Sequence, residues 1–190
     1  MKRELTRKAF HIGFGTAFLL LIALLGTLNS FYLIGAFLVL GIIISLIMRK
    51  GYTIPLFGKI IASVEREKEK HLPGKAAIFF FISALLLLVL FKDQPIIAMA
   101  ALSVQVFADS AAALVGKPFG KHKIYKNKSW EGTIACCIVA LVCLFFFVSP
   151  LIALIGALVA TIIEVFPGDD NLWVPIGTGI AIKALFLAGL

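Results

Sequence analysis

Seven apolar stretches follow one another along this chain of 190 residues, at about 9–27, 31–48, 76–91, 94–115, 132–148, 150–166 and 172–190. A hydrocarbon layer of roughly 30 Å is crossed by about 20 apolar residues as helix, which satisfies every main-chain polar group within the segment. The stretches leave no room for a separate water-soluble domain. The expectation is an all-α, polytopic integral membrane bundle of about seven transmembrane helices, forming a single domain over 1–190. A mean hydropathy of +1.06 and 61% hydrophobic residues agree with it. The first stretch follows Lys2, Arg3, Arg7 and Lys8 as a signal peptide would, but it is long and lacks a small-residue cleavage site, so it reads as a retained helix.

Charge orients the bundle. Of the 18 Lys and Arg, all but Lys92 and Lys183 precede the first stretch or lie in the loops 49–75 and 116–131. The positive-inside rule then puts the N-terminus and the loops 49–75, 116–131 and 166–172 in the cytoplasm. Topology and attraction to anionic headgroups account for the formal net charge of +8, so nucleic acid is excluded as a partner. Cys136, Cys137 and Cys143 sit in an apolar stretch without metal or disulfide spacing and read as packing residues.

The loops are uneven and no internal repeat is present, which argues against a transporter of two matching halves and for an enzyme. In the loop 49–75, Phe57, Ile60, Ile61 and Val64 recur at helical spacing ahead of the run Glu65 to Lys70. That pattern predicts an interfacial amphipathic helix with a solvated charged face.

Polar residues inside the apolar pattern are the candidates for chemistry. Gln105 and Asp109 lie one turn apart on a helix. An intramembrane carboxylate costs about 2.5–3.5 kcal/mol on insertion scales, so Asp109 needs a metal, a lysine or water. Near the N-terminus, Glu4, Arg7, Lys8, His11 and Gly15 form a stripe climbing one helix face. Lys183 reads as snorkelling or structural.

The segment Gly116 to Gly132 carries Lys117, Lys121, Lys123, Lys126 and Lys128 among Gly116, Gly120 and Gly132. Glycines let main-chain N–H groups approach phosphate oxygens, lysines neutralise them, and Ser129 is placed to cap the following helix, so the segment resembles a phosphate cradle. Glu164, Asp169, Asp170 and Asn171 fall at the same end as Asp109 and Glu131. Such oxygen donors suit Mg²⁺, which binds one or two carboxylates together with substrate phosphates; helix capping by Asp169 or Asn171 is the plainer alternative.

Four pieces, Glu4-Leu-Thr-Arg-Lys8 with His11, Asp109-Ser-Ala-Ala-Ala with Gly116-Lys-Pro-Phe-Gly-Lys121, Asn127-Lys-Ser-Trp-Glu-Gly132, and Glu164 with Asp169-Asp-Asn-Leu-Trp-Val-Pro175, occur in that order. Together they resemble the polyprenol kinase family of dolichol, phytol and farnesol kinases and CTP-dependent diacylglycerol kinases. The resemblance implies transfer of the γ-phosphate of CTP to the hydroxyl of a membrane lipid alcohol with Mg²⁺. On that reading Lys117, Lys121 and Lys128, with Gly116, Gly120, Lys123, Ser129 and Asn171 around them, bind the nucleotide. Asp109 together with Glu164, Asp169 or Asp170 holds the metal. Asp109 and His11 serve the reaction with Glu131 supporting the loop, and Arg7, Lys8 and Gln105 line the site.

A CTP:phosphatidate cytidylyltransferase shares the Asp, the Gly-Lys loop and the Lys-Ser-Trp-Glu-Gly run, and is the first alternative; a small transporter is the second. The partners expected are the bilayer, a lipid alcohol and a nucleoside triphosphate, and a homodimer is compatible with the sequence. The active site would face the cytoplasm, from the plasma membrane of a prokaryote or an endoplasmic-reticulum-type membrane of a eukaryote.

Overall fold

A computed structural model describes residues 2–52, 54, 58, 73–126, 128–166 and 168–190. Among them six helices and one small hairpin are formed: α1 (Lys2–Arg49), α2 (Lys75–Leu90), α3 (Pro95–Phe119), β1 (Lys123–Tyr125), β2 (Lys128–Ser129), α4 (Trp130–Phe145), α5 (Pro150–Val165) and α6 (Asp170–Leu187). The all-α class is as expected. The amphipathic helix expected around Phe57 to Lys70, and Asn127 of the third motif, lie outside the described residues.

The stretches 9–27 and 31–48 form two helical segments within α1 that meet at Gly26, whose φ of 74° and ψ of 175° break the helical path; the join is that single residue, without a separate loop. Only glycine takes that left-handed φ without strain. Asn29 Nδ2 donates to Leu25 O at 3.0 Å across the bend, so a carbonyl beside it keeps a partner.

Two helices, Arg3–Arg49 and Pro95–Phe119, are long and apolar enough to cross a membrane. The helices α2, α4 and α5 have 16 residues each, about 24 Å of helix, short of a full hydrocarbon layer. Seven full-length spans are therefore not what the helix lengths present, although helix occurs in all seven predicted stretches. Gly74 in the left-handed region precedes α2, and Pro95 and Pro150 stand in the first turns of α3 and α5, where a missing N–H costs nothing.

The core is built around α3. Ile97, Ala98, Ala100, Ala101, Leu102, Val104, Val106 and Ala108 are all buried, and α1, α2, α4 and α6 pack around them. Small side chains allow close approach: a Cβ on Gly15 of α1 would lie 2.2 Å from a methyl carbon of Val106. The outward faces are apolar instead, with Ile134, Ile138, Val142 and Phe145 exposed on α4 and Leu151, Leu154, Leu158 and Ile162 on α5. Apolar side chains outside as well as inside depart from the pattern of a water-soluble helix bundle, whose outer faces are polar.

The helix α3 is not regular throughout. Val104–Ala108 forms a π-turn, and a regular helix resumes at Asp109. The wider turn changes which side chains share a face, and such turns are frequent at functional sites.

Candidate functional site

Lys8 on α1 reaches across to α3, where its ammonium donates to Asp109 Oδ2 at 2.5 Å. Both groups are buried. His11, one turn further along α1, lies 3.7 Å from the same oxygen and bonds the main-chain oxygen of Gln105 through Nε2 at 3.2 Å. A carbonyl can only accept, so Nε2 carries the proton and Nδ1 is the nitrogen left to take one. Glu4 pairs with Arg7 on its own helix and with Lys117 at the end of α3, and that pairing fastens the start of α1 to the Gly-Lys segment. The polar stripe read from the sequence is thus brought to Asp109, which takes a lysine out of the three partners that were open to it.

Gln105 and Asp109 serve different neighbours. Gln105 Nε2 donates to Asn171 O at 2.5 Å and its Oε1 accepts from Ser83 Oγ at 3.2 Å, while Asn171 Nδ2 donates to Ala76 O at 3.3 Å. Gln105 and Asn171 therefore tie α2, α3 and α6 together. Ser83 was missed from the sequence, where its one signal was a hydroxyl in the middle of an apolar run. Lys183 donates to Gln94 Oε1 at 2.5 Å, a structural contact.

The carboxylates expected to gather as one metal set divide among lysines. Asp109 holds Lys8, and Asp169 pairs with Lys75 at 3.0 Å. Glu164 and Asp170 share Lys128, whose ammonium binds Glu164 Oε1 and lies 2.7 Å from Asp170 Oδ2. Among the described residues no three His, Cys, Asp or Glu side chains converge on a metal position.

Two carboxylates on one ammonium leave an excess of negative charge. Burial would lower the pKa of Lys128, but Asp170 and then Glu164 outweigh it and hold it above its usual value. Burial pushes Asp170 up to about 6, against the pull of Lys128, and the charges of Asp109 and Glu164 add to the rise. Those influences tie Asp109, Glu164 and Asp170 into one electrostatic site.

Glu164 Oε2 is buried and has no hydrogen-bond partner among the described residues. A buried, orphaned carboxylate oxygen is costly unless a cation completes it. The pair Glu164 and Asp170 therefore fits a divalent metal that takes its other ligands from phosphate and water.

The segment between α3 and α4 is a clamped hairpin. Lys123 pairs with Ser129 and Tyr125 with Lys128, antiparallel, with Lys126 at the turn at a φ of 48°. Glu131 holds it from below: His122 Nδ1 lies 2.8 Å from its Oε1, and the main-chain N–H of His122 donates to the same oxygen at 3.2 Å. Its own main-chain N–H and the His122 side chain keep Glu131 ionised down to about 2. Glu131 thus bonds the hairpin through His122, which the sequence did not single out. Lys121 and Lys123 are exposed.

The glycines have a packing role. A Cβ on Gly132 would lie 2.8 Å from Ala112 O and 2.9 Å from Gly116 Cα, so α3 and α4 meet backbone to backbone. The Gly120 N–H donates to Gly116 O at 3.2 Å, and Ser129 Oγ caps α4 by accepting from Gly132 N at 3.3 Å. These two glycine N–H groups are already bonded within the protein and are not free to meet a ligand.

The family model described as "Cytidylyltransferase family" matches residues 2–178. An uncharacterized protein of Methanocaldococcus jannaschii is 33% identical over 186 residues, covering 91% of this chain and 89% of its own. Phytol kinase of Synechocystis is 31% identical over 193 residues, covering 93% of this chain and 77% of its own. The chloroplastic phytol kinase 1 of Arabidopsis thaliana is 28% identical over 203 residues, with 95% of this chain and 66% of its own length covered. No solved structure matches.

Proposed function

Because the chain belongs to the cytidylyltransferase family and to the polyprenol and phytol kinases it resembles, we propose that it is a membrane kinase transferring the γ-phosphate of CTP to a prenol-type lipid alcohol. The observation that carries this reading is the joining of two charged clusters at one end of the bundle: Asp109 with Lys8 and His11, and Lys128 with Glu164 and Asp170. A lipid kinase needs a buried group facing the alcohol beside a cationic and carboxylate surface facing the nucleotide, and the two clusters supply these.

In this mechanism Lys117, Lys121 and Lys128 neutralise the triphosphate, and Glu164 and Asp170 hold Mg²⁺. When bound, the metal supplies charge neutralisation on the phosphates. The alcohol oxygen forms a bond to the γ-phosphorus, the bond from that phosphorus to the β-bridging oxygen breaks, CDP leaves, and the alcohol proton passes to Asp109. The transition state is loose, so the protein contributes chiefly alignment and charge. Lys8 and His11 hold the Asp109 carboxylate in place for that transfer. The apolar outer faces of α4 and α5 would meet lipid, the site would open to the cytoplasm, and the lipid tail would lie among the helices.

The family description also favours a second reading, a cytidylyltransferase making a CDP-lipid. The test is product analysis on purified protein with CTP, Mg²⁺ and either phytol, geranylgeraniol, a long polyprenol, diacylglycerol or phosphatidate. CDP and a phosphorylated alcohol are expected. Pyrophosphate and a CDP-lipid formed from phosphatidate would replace the kinase reading with the second one.

A further inference from the structure

Lys128 is bound in a way that a simple phosphate-binding lysine is not. Its ammonium sits between carboxylates on two different helices, Glu164 at the end of α5 and Asp170 at the start of α6. One of those carboxylates is nearly inaccessible: the Glu164 side chain is 4% exposed, and its Oε2 has no partner among the described residues. The lysine itself is 26% exposed and stands on the β1–β2 hairpin, which reaches the helices by short connections. It therefore has a way out towards solvent that Glu164 lacks.

We propose that Lys128 is the resident cation of the Glu164–Asp170 site, and that it gives way to a divalent metal when nucleotide phosphates arrive to take its ammonium. This rests on the kinase reading for the identity of the arriving group. The charges require such an exchange. Two carboxylates with one ammonium carry a net charge of −1, and a divalent ion in its place brings that to zero and completes Glu164 Oε2. Lys128 cannot stay there beside a second cation at bonding distance, and the incoming phosphates offer its three N–H groups new acceptors. Metal without nucleotide would have to expel the lysine to no partner. The lysine thereby couples the two ligands: the metal binds well only together with nucleotide.

The experiment measures Mn²⁺ binding alone, with no nucleotide, by electron paramagnetic resonance of free Mn²⁺ in detergent-purified protein. Wild type is expected to bind weakly. Lys128→Met and Lys128→Gln, which remove the competing charge and strand both carboxylates, are expected to bind roughly tenfold more tightly or better. Lys128→Arg retains the cation and should stay weak, and adding Glu164→Gln to Lys128→Met should abolish the gain. Recovery of a folded variant only in the presence of Mn²⁺ counts as binding. Equal affinity in wild type and Lys128→Met, a gain that survives Glu164→Gln, or neutral variants unrecoverable even with Mn²⁺ would overturn the proposal. Wild-type phosphotransfer from CTP is scored separately. A working kinase without the Mn²⁺ shift sinks the exchange, and the shift without phosphotransfer sinks the kinase reading.

Discussion

The ammonium of Lys8 lies 2.5 Å from Oδ2 of Asp109, 101 positions further along the chain. That pair fastens the N-terminal helix to the central one at the depth where the π-turn ends. Removing one partner of a buried pair strands the other charge, at a cost of about 3–5 kcal/mol. Lys8→Met is therefore expected to destabilise the protein by that order in detergent unfolding. Lys8→Met with Asp109→Leu should recover most of the loss, and an unchanged midpoint in the single variant would refute the role given to the pair.

Substitution at the two clusters should affect turnover and leave a distant lysine silent. Asp109→Asn and Lys128→Ala are each expected to lower the phosphorylation rate by about 10²–10⁴-fold. Lys92→Ala, exposed in the α2–α3 turn, should match wild type. Wild-type rates in both site variants would place the chemistry elsewhere.

Asp170 and Glu131 carry opposite pH signatures. Asp170 is raised from 3.8 to about 6, so the folded state binds its proton more tightly, and this group's contribution to stability falls as pH rises through that window. Glu131 is lowered from 4.5 to about 2; its contribution is present above its usual value and lost as pH falls towards 2. On the proposed role of Asp170 in holding the metal, its carboxylate must be ionised, so kcat/KM for CTP should fall on the acid side with a limb near pH 6. Asp170→Asn should lower activity and remove that limb; its persistence would assign the limb to another group.

The contact between Gly132 and Gly116 tolerates no added carbon. Gly132→Ala places Cβ against main-chain atoms at 2.8 and 2.9 Å, and the strain is expected to cost about 1–3 kcal/mol. Gly13→Ala meets nothing within 4 Å and should be neutral or slightly stabilising. Thermal unfolding of the two variants side by side checks this, and equal midpoints would count against close α3–α4 packing.

Glu131 acts through His122 and the hairpin. Glu131→Gln weakens both bonds to His122 and should raise KM for CTP several-fold with kcat little changed. A fall in kcat with unchanged KM would instead give Glu131 a direct part in the reaction.

Much of the architecture was legible in the sequence because helix formation and burial in lipid depend on local hydropathy. The stretches 76–91, 132–148 and 150–166 become α2, α4 and α5 within a few residues. The stretches flanking Gly26 are separate helical segments, but their join was not legible, because a glycine between apolar runs marks a loop or a one-residue break equally well, and only the backbone torsion distinguishes them. The π-turn escaped for a similar reason: Val104–Ala108 has no composition that sets it apart from regular helix. The β1–β2 hairpin was hidden among lysines that carry no alternating pattern.

The residue types of the site were legible too, since charge and glycine in an apolar chain stand out. Their partners were not. The sequence by itself determined a helical chain with acids and lysines collected at the helix ends, because hydropathy and charge are properties of each residue. Tertiary structure alone decided that Asp109 pairs with Lys8, that Glu164 and Asp170 share Lys128, and that Gly116 and Gly132 bring two helices into contact. Pairing depends on distances between segments far apart in the chain, and those distances are set by how the helices pack.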